Sequence, residues 1–178
     1  MTARADLTRA VAAVRELYDA AAASCALVDE SGAVLTFVAS DGAGSAEITG
    51  VSMPVSRGIA GWAVMSGQPI AVRDVAADAR FARDVAESTN FVPTAILAAP
   101  MHDEAGEAMG VISVLDPRVD QSSEWTLTVL GTLASQIALL VEAGPGSAPE
   151  SQRLEELGRR VLELTGDYRG EPGEGLRG

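Results

Sequence analysis

Two stretches of the chain carry apolar residues at the spacing of an α-helix, and they stand far apart in the sequence. The pattern predicts amphipathic helices over residues 2–23 and 122–143. The charged residues of the first stretch fall on the opposite side of the helix, which is typical of a solvent-exposed face. The apolar stripes are Leu7, Val11, Val14 and Tyr18 in the first helix, and Leu130, Leu133, Ile137 and Leu140 in the second.

Between these helices the apolar residues form short runs or alternate with polar ones, a pattern that predicts β-strands. Turns built on Gly32 and Gly106 join two pairs of strands into hairpins. Pro54 predicts that the short third strand lies at an edge of the sheet, because proline cannot donate a hydrogen bond to a neighbouring strand. The predicted strands are 25–29, 33–40, 51–55, 69–75, 91–101 and 108–116.

Two short helices are predicted among the strands, at residues 58–65 and 81–88. Gly67 and Asn90 follow them, and both residue types readily adopt the left-handed conformation that ends a helix. Residues 67–100 alternate irregular chain with apolar runs, as the walls of a binding pocket do. The order of elements predicts an α+β fold, in which helices pack on one face of an antiparallel sheet.

The end of the chain is predicted to lie outside this domain. The sequence GPGSAP at residues 144–149 predicts a flexible linker that closes a domain spanning residues 1–143. Residues 150–165 have leucine and valine at helical spacing, which predicts another amphipathic helix. Residues 166–178 have the composition of a disordered tail.

The composition sets the first limits on function. The 178 residues are 47% apolar and include a single cysteine, Cys25. A core of this size needs neither disulfide nor metal, and one cysteine cannot build a disulfide framework or a cysteine-based zinc cluster. No apolar run is long enough to span a bilayer, and the N-terminus lacks the features of a signal peptide. We therefore expect a cytoplasmic protein with no membrane partner.

The charge of the chain excludes further classes. The formal net charge is −12, and all 13 basic residues are arginine because the sequence contains no lysine. The absence of lysine excludes a P-loop lysine and a Schiff-base lysine. The acidity disfavours binding to nucleic acid or to anionic lipid, both of which need a basic surface. A lysine-free chain rich in alanine, glycine and arginine is typical of a high-GC bacterial genome.

Six short segments follow one another along the chain: GIAGWA at 58–63, GQPIAVRDV at 67–75, DARF at 78–81, VAESTNF at 85–91, ILAAPM at 96–101 and GVISVL at 110–115. In order and spacing, these segments resemble the GAF domain family of small-molecule-sensing modules. The resemblance covers residues 3–143 and implies a stand-alone bacterial member with a six-stranded antiparallel sheet. It also implies that the N- and C-terminal helices lie on one face of the sheet, where they commonly form a homodimer, and that short helices and loops form a pocket on the other.

The resemblance places the pocket among the short elements between residues 56 and 91. Two of the candidates there have more than one interpretation: Asp74 can cap the loop through backbone amides, and Arg80 can pair with Asp74 or Asp78, or either can contact a ligand. The apolar and aromatic candidates can line a pocket or simply fill the core. The candidate ligand-binding residues are Met53, Trp62, Met65, Asp74, Arg80, Phe81, Phe91 and Ile96.

The chain departs from the specialised branches of the family. Cyclic-nucleotide-binding members have an Asn-Lys pair where this chain has Asp116-Pro117. Bilin-binding members attach their chromophore to a pocket cysteine, typically followed by histidine, which this chain lacks there. Methionine-sulfoxide-reducing members need several pocket cysteines, and Cys25 alone cannot form and resolve a disulfide. His102, in a predicted turn, is expected to face water rather than to bind haem. No cofactor is therefore expected.

Other chemistry is sparse. The carboxylate pairs Asp29-Glu30 and Asp103-Glu104 lie in or beside predicted turns, where solvated acids are the simpler interpretation. The sequence therefore favours a non-enzymatic sensing or regulatory module that dimerises through helices 2–23 and 122–143. No output domain follows the module in the sequence, so we expect it to signal to a protein partner through helix 150–165. The alternatives are a structural or interaction scaffold whose pocket is empty and, third, an enzyme acting on a small molecule.

Overall fold

The structure is a computed structural model that describes residues 3–119 and 124–143, arranged as a sheet between a layer of long helices and a layer of short ones. The linker, helix and tail predicted for residues 144–178 lie outside the described residues. The elements are α1 (Ala3–Leu17), β1 (Ala22–Val28), β2 (Val34–Gly42), α2 (Ser45–Ile48), β3 (Ser52–Pro54), α3 (Gly58–Ser66), β4 (Ile70–Val72), a 3-10 turn (Val75–Ala77), α4 (Arg83–Ser88), β5 (Ile96–His102), β6 (Ala108–Leu115) and α5 (Glu124–Glu142).

The strands form one six-stranded sheet in the order β3-β2-β1-β6-β5-β4, and every neighbouring pair is antiparallel. The α+β class and the antiparallel six-stranded sheet are thus confirmed. Pro54 ends β3, which lies at one edge as predicted. The two central strands, β1 and β6, are apolar on both faces because each face is covered by a layer of helices.

The first and last helices, α1 and α5, cover one face of the sheet, as predicted. The Tyr18 hydroxyl joins them by donating a 2.7 Å hydrogen bond to the carbonyl oxygen of Thr126. Burial raises the pKa of Tyr18 to about 12. The core between these helices and the sheet includes Val11, Val14, Cys25, Leu97, Met101, Ile112, Leu130 and Ile137.

Helix α1 ends at Leu17, and the predicted extension to residue 23 is wrong. The amide of Ala20 donates to the carbonyl of Arg15 and the amide of Asp19 donates to the carbonyl of Glu16, which is the hydrogen-bond pattern of a Schellman motif. Asp19 takes the left-handed conformation of that motif, with φ of 43°. After this turn the chain enters β1. The small side chains of the alanines that follow Asp19 are compatible with a helix as well as with a strand.

Two predicted strands are shorter than expected because side chains bind the adjacent backbone. Oδ1 of Asp116 accepts hydrogen bonds from the amides of Thr94 and Ala95, at 2.7 and 2.8 Å, so β5 begins only at Ile96. Residues 91–95 form a loop instead. At the same end of the pair, β4 stops at Val72, which lies opposite Ile96, and the 3-10 turn capped by Asp74 follows.

Helix α5 has one apolar face on the sheet and further apolar residues outside it. Among the described helices, its segment Trp125–Glu142 has the length and a mean hydropathy of 1.4 that a membrane span needs. Its inner residues Leu130, Ala134 and Ile137 are buried against the sheet. In this structure α5 is therefore an amphipathic helix that packs on the core, and Trp125, Leu139 and Leu140 are exposed on its outer side.

Candidate functional site

A cavity of about 100 Å³ lies on the face of the sheet opposite α1 and α5. The floor comes from β1, β2 and β6, and the walls come from α3, α4 and the loop that precedes β5. Helix α3 approaches closely because Gly61 packs on the backbone of Val55: a Cβ at this position would lie 2.1 Å from the Val55 oxygen. Gly67, with φ of 64°, ends α3 as predicted.

The cavity walls are apolar and partly aromatic. Four of the candidate residues predicted from the sequence lie here: Met53, Phe81, Phe91 and Ile96. Phe81 precedes α4, and Phe91 belongs to the loop before β5, whose end is hydrogen-bonded to Asp116. The structure therefore brings these four residues together around one space, and their contact with a ligand remains a prediction.

The floor of the cavity contains a row of three serines on adjacent strands. In the strand register Ser24 of β1 lies opposite Ser40 of β2 on one side and opposite Ser113 of β6 on the other. A register shift next to Cys25 places Ser40 on the same face as the other two. We call Ser40, Ser24 and Ser113 the serine row.

Two members of the serine row have hydroxyls without a hydrogen-bond partner among the described residues. Ser40 donates to the carbonyl of Ser45 at 2.8 Å and lies 2.9 Å from the hydroxyl of Thr49. Ser24 and Ser113 are only 6% and 5% exposed, and neither hydroxyl is bonded within the described part of the chain. A buried polar group left unpaired costs about 1–3 kcal/mol, so native proteins almost always pair it with protein, water or a ligand.

The N-terminus of α3 also reaches the cavity, through Gly58, Ile59 and Ala60. The first amides of a helix have no partner inside the helix and carry its positive end. That end stabilises a negative charge by up to about 2 kcal/mol. The lining contains no charged side chain among the described residues. Taking an ion out of water costs several kcal/mol, so the helix end alone offsets only part of that cost.

The remaining predicted site residues do not line this cavity. Trp62, Met65 and Arg80 line a wider surface cleft of about 610 Å³ on the other side of α3, and Phe81 belongs to both spaces. The Arg80 guanidinium lies over the Trp62 ring, 4.8 Å from its centroid. It also donates to both carboxylate oxygens of Asp78, at 2.9 and 2.6 Å, which lowers the pKa of Asp78. Of its two predicted partners, Arg80 thus binds Asp78.

Asp74 lies outside both the cavity and the cleft. Its Oδ1 accepts a 3.0 Å hydrogen bond from the amide of Ala76 and caps the 3-10 turn. The capping interpretation is therefore the one that the geometry supports. The wall of the cavity is braced instead by Asp116, which the sequence analysis did not select for this role.

Among the described residues, the cavity lining has no carboxylate, imidazole or thiol that could act as a general base or activate a serine hydroxyl. Cys25 is fully buried on the helix side of the sheet, where burial raises its thiol pKa to about 12. Its sulfur is therefore an inert core thiol at neutral pH. No group of three or more metal-ligating side chains occurs within residues 3–119 and 124–143.

The acidic pairs Asp29-Glu30 and Asp103-Glu104 lie in or beside turns, as the sequence predicts. Asp29 accepts from the Ser31 hydroxyl and from two backbone amides, which lowers its pKa. Asp103 accepts from the amides of Ala105 and Glu107, both at 2.9 Å. His102 is the last residue of β5 rather than a turn residue.

Sequence reasoning missed Ser24, Ser40 and Ser113. Ser24 and Ser113 do carry a signal, because each is a lone hydroxyl in an otherwise apolar strand, in the runs AASCALV and AMGVISVL. A hydroxyl at a position buried on both faces needs a partner. The sequence does not show that the two serines are cross-strand neighbours, since β1 and β6 are almost 90 residues apart.

Comparison with known proteins agrees with the architecture. A protein-family model described as GAF domain matches residues 4–141. The GAF domain of an Acinetobacter phosphoenolpyruvate-protein phosphotransferase is 22% identical and covers 80% of this chain and 84% of its own, with a TM-score of 0.67. No curated protein sequence matches the chain.

Two further solved structures with the same fold have different descriptions, one as an enzyme and one as a GAF domain of a larger protein. A free methionine-R-sulfoxide reductase from Neisseria meningitidis, in complex with its substrate, is 22% identical over 79% of this chain and 78% of its own, with a TM-score of 0.65. The second GAF domain of DevS from Mycobacterium smegmatis is 18% identical over 89% of this chain and 99% of its own, with a TM-score of 0.60. At such identities the likeness extends to the fold alone.

Proposed function

The chain belongs to the GAF domain family, and from that premise we propose that it is a cytoplasmic regulatory module that senses a small molecule in the cavity described above. GAF domains are typically regulatory or sensory. The observation that carries the proposal is the cavity itself, which lies between the sheet and the short helices and is lined mostly by apolar side chains. Small-molecule sites are typically concave and apolar with a few polar groups.

The module acts without turnover in this proposal. Among the described residues the cavity has no titratable side chain, and the one thiol, Cys25, faces the opposite core. The cavity therefore offers a ligand shape and hydrogen bonds, but its described lining has no general base that would activate a serine hydroxyl as a nucleophile. The sulfoxide reductase that shares the fold is an enzyme, so the family alone does not exclude catalysis.

The module dimerises in this proposal through the outer sides of α1 and α5. Leu17 of α1 is 55% exposed, and Trp125, Leu139 and Leu140 of α5 are 69%, 52% and 45% exposed. At 3.6 residues per turn, the three α5 residues fall within one sector of about 100°. The net charge of −12 opposes contact with nucleic acid or anionic lipid. A second copy of the chain is the occupant that suits this apolar sector.

Signalling to a protein partner through residues 150–165 completes the proposal. Those residues lie outside the described part of the chain, so the support for this step is their amphipathic spacing alone.

The cavity is tested by ligand binding to the full chain. We expect native mass spectrometry of freshly purified protein to show a co-purifying small molecule, or a thermal-shift screen of metabolites to show saturable stabilisation. Ala86→Phe, on the α4 wall, fills the cavity and is expected to abolish both signals. Ala105→Phe, in the exposed turn before β6, is the matched control and should retain them.

The alternative function is a scaffold whose cavity stays empty. Native spectra without a bound mass, together with a screen in which no metabolite raises the melting temperature of the wild-type chain, would support the scaffold and contradict sensing. Equal ligand-dependent stabilisation of wild type and Ala86→Phe would place the ligand outside this cavity.

A further inference from the structure

We propose that the ligand of the cavity is a compact, uncharged molecule with an oxygen acceptor, held by the hydroxyls of Ser24 and Ser113. This inference rests on the proposed function, because it names the chemical class that the same cavity takes. The geometry that supports it is the serine row on the cavity floor opposite aromatic walls.

The size of the cavity limits the ligand to a compact molecule. Its volume of about 100 Å³ is below the roughly 300–1,000 Å³ of sites for drug-sized ligands. A protein cavity of roughly 150 Å³ accommodates benzene. The described cavity therefore suits a molecule of about half a dozen non-hydrogen atoms, and a nucleotide is too large for it.

The charge of the lining favours a neutral ligand. No lysine occurs in the chain, and no arginine, aspartate or glutamate lines the cavity among the described residues. The two nearby arginines of the neighbouring cleft are engaged: Arg57 with Asp84 and Arg80 with Asp78. A carboxylate or ammonium group would thus enter without a counter-charge, and the N-terminal end of α3 offsets only part of the lost hydration.

The serine row defines where the polar end of the ligand lies. Ser24 and Ser113 are cross-strand neighbours, both more than nine-tenths buried, and both line the cavity with hydroxyls that have no hydrogen-bond partner in the part of the chain that the structure describes. Other residues on this face of the same strands, such as Ala26 and Val111, are apolar. Two adjacent hydroxyls can both donate to one ligand oxygen, as can the free amides at the start of α3. The apolar part of the ligand then lies between Phe81 and Phe91.

The experiment compares three probes of similar ring size on the full chain: cyclopentanone, cyclopentane and cyclopentanecarboxylate. Binding is measured by titration with NMR detection. We expect cyclopentanone to bind more tightly than cyclopentane, and the carboxylate to bind most weakly. Ser24→Ala and Ser113→Ala should each weaken cyclopentanone binding about three- to tenfold, which is the contribution of one hydrogen bond. Neither substitution should weaken cyclopentane binding.

Two controls keep the serine result specific. Ser135→Ala removes a hydroxyl that bonds the carbonyl of Gly131 on exposed α5, and it should leave all three affinities unchanged. The unligated Ser24→Ala and Ser113→Ala proteins should be at least as stable as wild type, because each loses an unpaired buried hydroxyl. A merely structural serine would instead lower the melting temperature when replaced.

Several outcomes would overturn the inference. They are tighter binding of the carboxylate than of the ketone, ketone binding that is indifferent to both serine substitutions, and a co-purifying ligand that carries a formal charge. Each of these leaves the sensing function intact where Ala86→Phe abolishes the binding, because the cavity is then still the site that is occupied. If no probe binds and no metabolite stabilises the chain, the proposed function fails and this inference fails with it.

Discussion

Cys25 shows how one residue's position on the sheet decides its chemistry. It alternates with Ser24 along β1, so the thiol faces the core under α1 and α5 while the neighbouring hydroxyl faces the cavity. Both side chains are buried, but only the hydroxyl has a space in which to meet a ligand. The thiol is fully excluded from solvent and has its pKa raised to about 12. Because consecutive residues of a strand face opposite sides of the sheet, Cys25 is an inert core group while Ser24 is a candidate binding group.

This burial predicts a loss of stability at alkaline pH. The unfolded thiol ionises above a pH of about 9, whereas the folded thiol stays neutral up to about 12. The free energy of unfolding therefore falls by about 1.4 kcal/mol per pH unit between these values. By urea denaturation, wild type should lose about 2 kcal/mol more than Cys25→Ala between pH of about 8 and about 10.5.

The difference between the pH profiles of wild type and Cys25→Ala reports the titration of the Cys25 thiol alone. Tyr18, whose pKa is also raised to about 12, titrates equally in both and cancels in the difference. Cys25→Ala lowers stability at every pH because it leaves a small cavity, but that loss does not depend on pH. Parallel pH profiles for the two proteins would show that the thiol does not titrate as its burial requires.

At the scale of elements, α3 depends on close contact with the chain before it. Gly61 faces the backbone of Val55, and its missing side chain allows the helix to lie against β3 and form the cavity wall. Gly131 in α5 is the contrasting case, because a Cβ there meets nothing within 4 Å. Two helical glycines in one chain thus have different reasons to be glycine.

Gly61→Ala is expected to destabilise the protein by roughly 1–3 kcal/mol, because the added methyl overlaps backbone that cannot move aside cheaply. Gly131→Ala is the matched control and should be neutral or stabilising by up to about 1 kcal/mol, since alanine has the higher helix propensity. Urea denaturation at neutral pH measures both. Equal effects of the two substitutions would contradict the close contact of α3.

At the scale of the whole molecule, the two faces of the sheet carry different structural features. One face carries α1 and α5, whose outer sides expose apolar residues, and the other carries the cavity. The strands that lie between them, β1 and β6, contribute side chains to both cores. The proposed association on one face and the proposed ligand binding on the other can therefore be tested independently by substitution.

The proposed dimer is tested with charges on α5. Leu140→Glu and Trp125→Glu are each expected to convert the dimer into a monomer, because a carboxylate would be buried in an apolar interface. Light scattering after gel filtration measures the mass. Met65→Glu is the control: Met65 is 66% exposed on the opposite side of the sheet, and its replacement should leave the dimer intact. A monomeric wild-type chain, or equal disruption by Met65→Glu, would exclude this interface.

Much of the fold can be predicted because local sequence patterns indicate its helices, strands and turns. The period of the apolar residues separates helices from strands, and Gly67 and Asn90 end α3 and α4 in left-handed conformations as expected. The end of α1 is not predictable in this way. Residues 20–23 are all alanine, which suits a helix as well as a strand, and the decision falls to hydrogen bonds around Asp19.

The sequence by itself determined the order of elements, the antiparallel sheet and four residues of the cavity, since these follow from periodicity, turn residues and the resemblance to a family. Only the tertiary structure decided that Trp62, Met65 and Arg80 line a separate cleft and that Asp74 caps a turn. It alone aligned Ser24, Ser40 and Ser113 on three strands. The physical reason is that strand register and the side of a helix are set by packing between distant segments, which no local pattern records.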